Sequence, residues 1–173
     1  MSQLLSLTST LPSAAQCAYF DFMDTARYLI ETLAARHETL AVAESCTGGL
    51  LAAAIVAIPG ASRVFTEGIV AYANESKERR LGVPRETIER FGAVSEETVH
   101  AMLTGLTADA RIAVSGIAGP DGGTPDKPVG TVVIGTFYHG TEKIATYHLS
   151  GDRNAVRAAA VEEAMELLVS SLD

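Results

Sequence analysis

Tryptophan is absent from this 173-residue sequence, and cysteine and N-terminal charge are scarce. The two cysteines are too few for a disulfide framework, so we expect a reducing, cytoplasmic environment. The first twenty residues carry no charge, whereas a secretory signal starts with a basic segment followed by a continuous apolar one. We therefore expect residues 1–20 to be a mobile N-terminal tail or an over-called start of the sequence. No run is apolar enough to cross a membrane, so no membrane partner is predicted.

Basic residues are also in the minority. Thirteen lysines and arginines stand against 21 aspartates and glutamates, which gives a net charge of -8. This negative field repels phosphate backbones, so we expect no nucleic-acid partner. Hydrophobic residues make up 47% and charged residues 20% of the chain, the balance of a globular domain. At this length we predict a single domain over residues 21–173.

Segments of strand type and of helix type alternate along the chain. Short runs of β-forming residues predict strands at residues 39–43, 67–73 and 110–116, and a hairpin that turns at Gly140 follows them. Strands separated by helices predict an α/β fold, with three α/β/α layers and a mixed, mostly parallel five-stranded sheet. The predicted helices cover residues 21–37, about 47–58, 74–81, 84–91, a segment capped by Ser95, and about 152–172.

Three polar, glycine-rich stretches each follow one of the first three predicted strands. They cover residues 44–49, 72–77 and 115–123. If the three strands are parallel, the stretches lie at the same edge of the sheet. Open α/β sheets bind their ligands at the carboxyl ends of their strands. The sequence therefore predicts a ligand site where the three stretches meet.

The first stretch, AESCTGG at residues 43–49, allows several interpretations. Ser45 or Thr47 can simply cap the following helix. Alternatively, free N–H groups at the helix start hold a phosphate or stabilise an oxyanion, and a hydroxyl there acts as a nucleophile. The stretch lacks a Walker lysine and does not match G-x-S-x-G. Cys46 is a rival nucleophile, because a thiol at a helix start has a lowered pKa.

A serine nucleophile needs a base. The four histidines are not spaced as a base or as a metal site, and we predict no metal. Lys77 is the better candidate, because burial and the positive helix end after an Asn74 cap would lower its pKa towards neutrality. The alternative is a surface lysine in the charged run ESKERR. Tyr72 could relay the proton or orient the ammonium, or it could be a rim aromatic.

Two further features point to an anionic ligand. The stretch SGIAGPDGG at residues 115–123 can surround an anion with backbone N–H groups, although it can also be a flexible loop. Arg153 and Arg157 lie in the first turns of the last predicted helix, where cations oppose the helix dipole. Their charge is compensated either by an internal carboxylate, such as Asp152 or Glu44, or by a substrate phosphate.

Six motifs, in this order, resemble the CinA C-terminal domain family, the nicotinamide-nucleotide amidohydrolases also called PncC. The resemblance covers about residues 22–172. It implies a three-layer α/β/α domain with a mixed five-stranded sheet. It also implies deamidation of nicotinamide mononucleotide to nicotinate mononucleotide and ammonia, in pyridine-nucleotide recycling and without a cofactor. The motifs are AESCTGG, YANESK, LGVP, GAVSEE, SGIAGPDGGTPDKPVGTV and GDR.

By this resemblance the family's serine nucleophile falls on Ser45, its tyrosine on Tyr72 and its lysine base on Lys77. A non-catalytic nucleotide-binding or interaction module of the same fold is the alternative. The sequence leaves the oligomeric state open, and if the chain self-associates we expect a dimer. The residues expected to bind the small nucleotide substrate are Thr47, Gly48, Gly49, Ser115, Gly116, Gly119 and Arg153.

Overall fold

A five-stranded sheet is the centre of the fold. The structure is a computed structural model that describes residues 14–172, with side chains from residue 23 onward. The strands lie in the spatial order β2-β1-β3-β4-β5. Their bounds are β1 (Leu40–Glu44), β2 (Phe65–Val70), β3 (Ala110–Gly116), β4 (Thr131–Tyr138) and β5 (Thr141–His148).

The sheet is mixed, as predicted. β1 pairs in parallel with both β2 and β3, whereas β4 pairs antiparallel with both β3 and β5. The prediction of a mixed five-stranded α/β sheet is confirmed, but the pairings divide evenly and are not mostly parallel. The reason is the connection after β3, a loop without a crossover helix, because parallel strands need such a crossover. The predicted hairpin forms at the turn of His139 and Gly140, which both have positive φ.

Helices cover both faces of the sheet, which confirms the three layers. One layer contains α1 (Ala14–Arg36), α2 (Leu50–Val56) and α6 (Arg153–Val169). The other contains α3 (Asn74–Leu81), α4 (Arg85–Phe91) and α5 (Glu96–Thr104). A short 3-10 turn, Ala61–Arg63, precedes β2.

The inner strand β1, which lies between β2 and β3, is buried along its whole length, because both of its faces are covered. Side chains alternate between the two faces of a strand. Leu40 and Val42 therefore pack in the core that contains α1, α2 and α6, while Ala41 and Ala43 pack in the core that contains α3, α4 and α5. This rigid strand ends at Glu44, directly before Ser45.

Some predicted boundaries are wrong. α1 is already helical at Ala14, the first described residue, and not only from residue 21, because its alanine-rich segment contains no helix breaker. Residues 1–13 of the predicted tail lie outside the described residues. α2 begins at Leu50 rather than residue 47, because Gly48 and Gly49 have positive φ and interrupt the helix. Ala73, and not Asn74, is the N-cap residue of α3.

Two other boundaries can be compared with the sequence. β2 ends at Val70, three residues before the predicted end at residue 73, so Tyr72 lies in the connection to α3. Ser95 caps α5 as predicted, because its side chain accepts a hydrogen bond from the backbone N–H of Thr98. Among residues 14–172, no helix is long and apolar enough to span a membrane.

Candidate active site

The three polar stretches meet at the carboxyl ends of β1, β2 and β3, as the sequence predicts. A cavity of about 270 Å³ opens between them. Seven of the predicted site residues line it: Ser45, Tyr72, Lys77, Ser115, Gly116, Gly119 and Arg153. The lining also includes further residues of the predicted stretches, namely Asn74, Ile117, Ala118, Asp121 and Gly122, and two residues outside them that the sequence did not indicate, Ala93 and Val94.

Lys77 and Ser45 are in direct contact at the base of this cavity. Lys77 Nζ lies 3.1 Å from Ser45 Oγ, and it donates hydrogen bonds to the carbonyl oxygens of Ala71 at 3.1 Å and Tyr72 at 3.2 Å. Lys77 is only 1% exposed. No carboxylate in the described part of the chain forms an ion pair with it. Burial therefore lowers the pKa of Lys77 from its ordinary value.

These contacts suit a neutral amine. A deprotonated lysine has two N–H donors and one lone pair. The two carbonyl oxygens can only accept, so they take the two donors. The lone pair is then left for the hydroxyl of Ser45. The arrangement is that of a nucleophile and its base.

The sequence of α3 explains why a lysine is buried here. Lys77 and Leu81 are the buried residues of this helix, four residues apart and thus on one face. The rest of NESKERRL is polar or charged. With Ala73 as N-cap, Lys77 is the fourth helical residue and not the third, so burial and not the helix end is the main cause of its lowered pKa.

Glu44 occupies the helix start that was predicted to bind an anion. This residue is fully buried. Its Oε2 accepts hydrogen bonds from the N–H groups of Gly49 at 2.9 Å and Leu51 at 3.1 Å, and its Oε1 accepts one from Ala52 at 2.9 Å. The donors at the start of α2 are therefore not free for a phosphate or an oxyanion.

The predicted substrate contacts of Thr47, Gly48 and Gly49 accordingly do not coincide with the cavity lining. The side chain of Thr47 is fully buried, and its Oγ1 has no hydrogen-bond partner among the described residues. The Gly48 N–H donates to the carbonyl oxygen of Ser45 at 3.1 Å. These three residues shape the turn after Ser45 and do not face the cavity.

Cys46 lines the cavity beside Ser45 but lacks the features of an activated thiol. Burial raises the pKa of Cys46 to about 11. The thiol consequently stays protonated near neutral pH, whereas the thiolate is the nucleophilic form. Its sulfur packs against Gly116, where an added Cβ would lie 3.0 Å from Cys46 Sγ. The geometry favours Ser45 over Cys46 as the nucleophile.

Tyr72 has two separate contacts at the site. Its main-chain oxygen accepts from Lys77, whereas its hydroxyl accepts from Arg153 Nη2 at 2.7 Å. The residue is 57% exposed. The phenol is thus hydrogen-bonded to an arginine and not to the Ser45–Lys77 pair, so the structure does not place it as a proton relay.

The two arginines of α6 connect loops of the site. Arg153 Nη1 donates to the carbonyl oxygen of Gly119 at 2.7 Å, and Arg157 Nη2 donates to that of Thr47 at 2.7 Å. Neither arginine forms an ion pair with Asp152 or Glu44. Asp152 instead caps α6. Only Arg153 lines the cavity, so it is the arginine available to an anionic ligand.

The third loop is anchored at its start. Ser115 Oγ donates to the carbonyl oxygen of Ala93 at 2.7 Å. Farther along, Lys127 Nζ donates to the carbonyl oxygens of Phe91 at 2.9 Å and Val94 at 2.7 Å. These bonds fasten the glycine-rich loop to the connection between α4 and α5. The loop therefore forms a fixed wall of the cavity.

A larger cavity lies elsewhere, between α3, α4, α5 and β5. Its volume is about 660 Å³, and its lining includes Leu81, Phe91, His100 and Ile144. Among its lining residues, no hydroxyl is hydrogen-bonded to a basic side chain, and Thr104 Oγ1 donates to the main-chain oxygen of His100. The smaller cavity at Ser45 is therefore the candidate active site.

The family of the chain follows from its similarity to known proteins. Residues 23–172 match the family model described as CinA C-terminal domain. The chain belongs to the CinA C-terminal domain family. A CinA-like protein of Thermotoga maritima is 50% identical over 145 residues, which cover 81% of this chain and 35% of that protein. One from Kosmotoga olearia is 48% identical over 138 residues, covering 78% of this chain and 34% of that protein.

This CinA domain thus spans about a third of the length of the curated relatives it matches. Solved structures match over nearly their whole length. A CinA superfamily protein from Klebsiella pneumoniae is 38% identical, with a TM-score of 0.83 over 87% of this chain and 97% of that one. The competence/damage inducible protein CihA from Agrobacterium tumefaciens is 37% identical, with a TM-score of 0.84 over 94% and 98%.

Proposed function

We propose that this CinA domain is an amidohydrolase that converts nicotinamide mononucleotide to nicotinate mononucleotide and ammonia. The observation that carries the proposal is the 3.1 Å contact between Ser45 Oγ and a buried Lys77 that no carboxylate of the described residues neutralises. The family resemblance supplies the substrate. Amide hydrolysis through an acyl-enzyme is the reaction that a serine and a neutral amine can perform together.

In the first step, Ser45 attacks the carboxamide carbon. The Oγ–H proton passes to the lone pair of Lys77 Nζ as the Oγ–C bond forms, which gives a tetrahedral intermediate. When this collapses, the C–N bond breaks and the Lys77 ammonium returns the proton to the leaving nitrogen. Ammonia departs and the nicotinoyl group remains as an ester on Ser45.

In the second step, water cleaves the ester. Lys77 is again neutral and takes a proton from the attacking water, and it then returns that proton to Ser45 Oγ as the ester bond breaks. The products are the free enzyme and nicotinic acid mononucleotide, whose carboxyl group then releases its proton to solvent to give the carboxylate. One base therefore serves both half-reactions.

The charges around the cavity match those of the proposed substrate. Asp121 and Arg153 both line it and are of opposite sign. Nicotinamide mononucleotide carries a cationic pyridinium ring and an anionic phosphate. The ring cation makes the carboxamide carbon more electrophilic and suits an acidic neighbour. The phosphate suits Arg153, since only two of the five N–H donors of its guanidinium are used in the contacts with Tyr72 and Gly119.

Ammonia release is the direct test. Purified protein, treated with a chelator, is given nicotinamide mononucleotide, and ammonia and nicotinate mononucleotide are both quantified. We expect stoichiometric formation of the two products in the wild type and none in Ser45→Ala. Binding of the nucleotide without turnover would instead support the non-catalytic module.

A further inference from the structure

The turn that presents Ser45 is held from inside the protein by Glu44. Glu44 is the last residue of β1 and is fully buried. Its three hydrogen bonds all reach backbone N–H groups at the start of α2, in Gly49, Leu51 and Ala52. The carboxylate thus joins the strand before the turn to the helix after it.

Capping of the helix does not by itself require a buried carboxylate. A helix start is usually capped by a small polar side chain at the N-cap position, which needs no buried charge. Here the N-cap is Gly49, which has a φ of 95° and no side chain to offer. A buried carboxylate is expensive unless hydrogen bonds compensate it. Glu44 differs from an ordinary cap because it lies five residues before the N-cap. Its hydrogen bonds therefore connect the two ends of the segment 45–49.

Other bonds restrain the same turn. The Ser45 N–H donates to the carbonyl oxygen of Val114 in β3 at 2.9 Å. Arg157 holds the carbonyl oxygen of Thr47 from the side of α6. Glu44 supplies the connection to α2. Hydrogen bonds to β3, to α6 and to the start of α2 therefore all restrain the turn that carries Ser45.

We propose that Glu44 is a positioning residue of the active site. It fixes the turn so that Ser45 Oγ stays in contact with Lys77 Nζ, and it touches neither the substrate nor the reacting atoms. The inference rests on the proposed roles of Ser45 and Lys77. Because it concerns placement, it can be tested separately from the identity of the substrate.

Two variants of Glu44 distinguish the effect of side-chain length from the effect of charge. Glu44→Gln keeps the length but removes the charge and places an amide N–H₂ against one of the backbone donors. Glu44→Asp keeps the charge but is one methylene shorter, so that it cannot reach α2 without moving the turn. Asp109→Asn is the matched control. Asp109 also accepts a backbone N–H, that of Thr39 at 2.8 Å, but at the opposite end of β1.

The first readout is covalent labelling of Ser45 by excess phenylmethylsulfonyl fluoride, followed by mass spectrometry. The Oγ–S bond forms, the S–F bond breaks, and Lys77 takes the proton. The labelled amplitude reports how much protein is folded, whereas the first-order rate constant reports how well Ser45 is placed. The second readout is the separation of kcat from KM for nicotinamide mononucleotide.

We expect both Glu44 variants to lower the labelling rate constant and kcat by ~10-fold or more, since small displacements of a reacting group can cost ~100-fold in rate. KM should stay within about twofold, because Glu44 does not line the cavity. Asp109→Asn should keep the wild-type rate constant. If either Glu44 variant folds, it suffices for the test.

Wild-type labelling rate constants in the Glu44 variants, together with a lowered Tm, would overturn the inference and leave Glu44 as a structural cap. A wild type that is labelled at Ser45 but releases no ammonia would reject the proposed function, while the labelling rates would still decide the role of Glu44. A wild type that is not labelled at Ser45 and releases no ammonia would reject both, whereas in a wild type that releases ammonia without being labelled, kcat of the Glu44 variants would decide the role of Glu44.

Discussion

Charged side chains have opposite environments at the two ends of the parallel strands. Where β1 and β3 begin, acidic groups have polar partners on the surface. Glu38 accepts from the Tyr138 hydroxyl at 2.8 Å and pairs with His139 at 2.6 Å, and Asp109 accepts from Thr39. Where the same strands end, Lys77 is buried with a serine hydroxyl and two carbonyl oxygens as its partners.

The comparison suggests that the charged groups where the strands begin contribute to stability, whereas the buried lysine where they end is suited to chemistry. Contacts between polar and charged groups near the surface add only a little to stability. A buried amine without a counter-ion is destabilising in its charged form and so shifts towards the neutral, reactive form. Substitutions at the two ends should therefore have different consequences.

The largest effect is expected at the nucleophile. Ser45→Ala should lower kcat by at least ~10³-fold, the scale of loss when a nucleophile is removed. Cys46→Ala should keep most of the turnover, because the raised pKa of Cys46 keeps the thiol protonated. Steady-state ammonia release measures both variants. The reverse pattern would assign the nucleophile to the thiol.

The next largest effect is expected at the base. Lys77→Arg keeps a positive charge that cannot be given up at accessible pH, so kcat should fall by ~10²-fold or more, the usual contribution of a general base. In the wild type, turnover should rise with pH as the ammonium loses its proton, and it should level off below the ordinary value of 10.5.

A pH series of kcat/KM tests the base assignment. The rise follows from the direction of the shift, since a lowered pKa of Lys77 means that the active, neutral amine appears earlier as the pH increases. Near-normal turnover in Lys77→Arg would show that another group is the base.

A smaller effect is expected at the rim of the cavity. Arg153→Ala should weaken binding of nicotinamide mononucleotide by ~10- to 150-fold, the value of a charge-assisted contact of roughly 1.5 to 3 kcal/mol. Nicotinamide riboside, which lacks the phosphate, should be affected far less. Equal losses for the two substrates would mean that Arg153 only joins Tyr72 to Gly119.

Tyr72→Phe is the control for this variant. It removes the hydroxyl that accepts from Arg153 but leaves the main-chain oxygen that accepts from Lys77. We expect a change in KM with little change in kcat. A large fall in kcat would restore the phenol as a participant in proton transfer.

The smallest effects are on stability, and they should have opposite signs at the two ends. Lys77→Met removes a buried amine and should raise Tm near neutral pH. Glu38→Gln breaks the pairing with His139 and should lower Tm by about 2 to 4 °C, the change expected for ~1 kcal/mol in a domain of this size. Turnover should be lost in the first variant and kept in the second.

The sign of the pH dependence follows from linkage. Because the pKa of Lys77 is lower in the folded protein, the unfolded chain binds more protons between the folded value and the ordinary value. Stability should therefore rise with pH across this window in the wild type. Thermal unfolding of both variants over a pH series measures this, and the contribution should be absent in Lys77→Met.

The positions of the strands could be predicted because they are encoded locally. Apolar runs flanked by glycine-rich stretches indicate where β1 and β3 lie, and parallel strands place the stretches together. Ser45 and Lys77 could be proposed from the chemistry of a nucleophile and a base and from the family motifs. Their contact at 3.1 Å then required the tertiary fold.

The contacts that hold the site in place could not be predicted, because they depend on the path of the backbone. In the sequence, Thr47 resembles a helix cap, but Glu44 takes the N–H groups by reaching past the turn. Arg157 contacts the carbonyl oxygen of Thr47 although the two residues are 110 positions apart. Tyr72 looks like a proton relay until the structure places its hydroxyl on Arg153.

The two carbonyl oxygens that orient Lys77 have a consequence for the evolution and transfer of the site. Ala71 and Tyr72 contribute through their main chain, which every amino acid possesses. Point mutation can change their side chains while the two acceptors persist, as long as the connection after β2 keeps its path. A designer who copied only the serine and the lysine onto another scaffold would omit two of the three hydrogen-bond partners of the lysine. The path of the backbone after β2 therefore has to be inherited or transplanted together with the serine and the lysine.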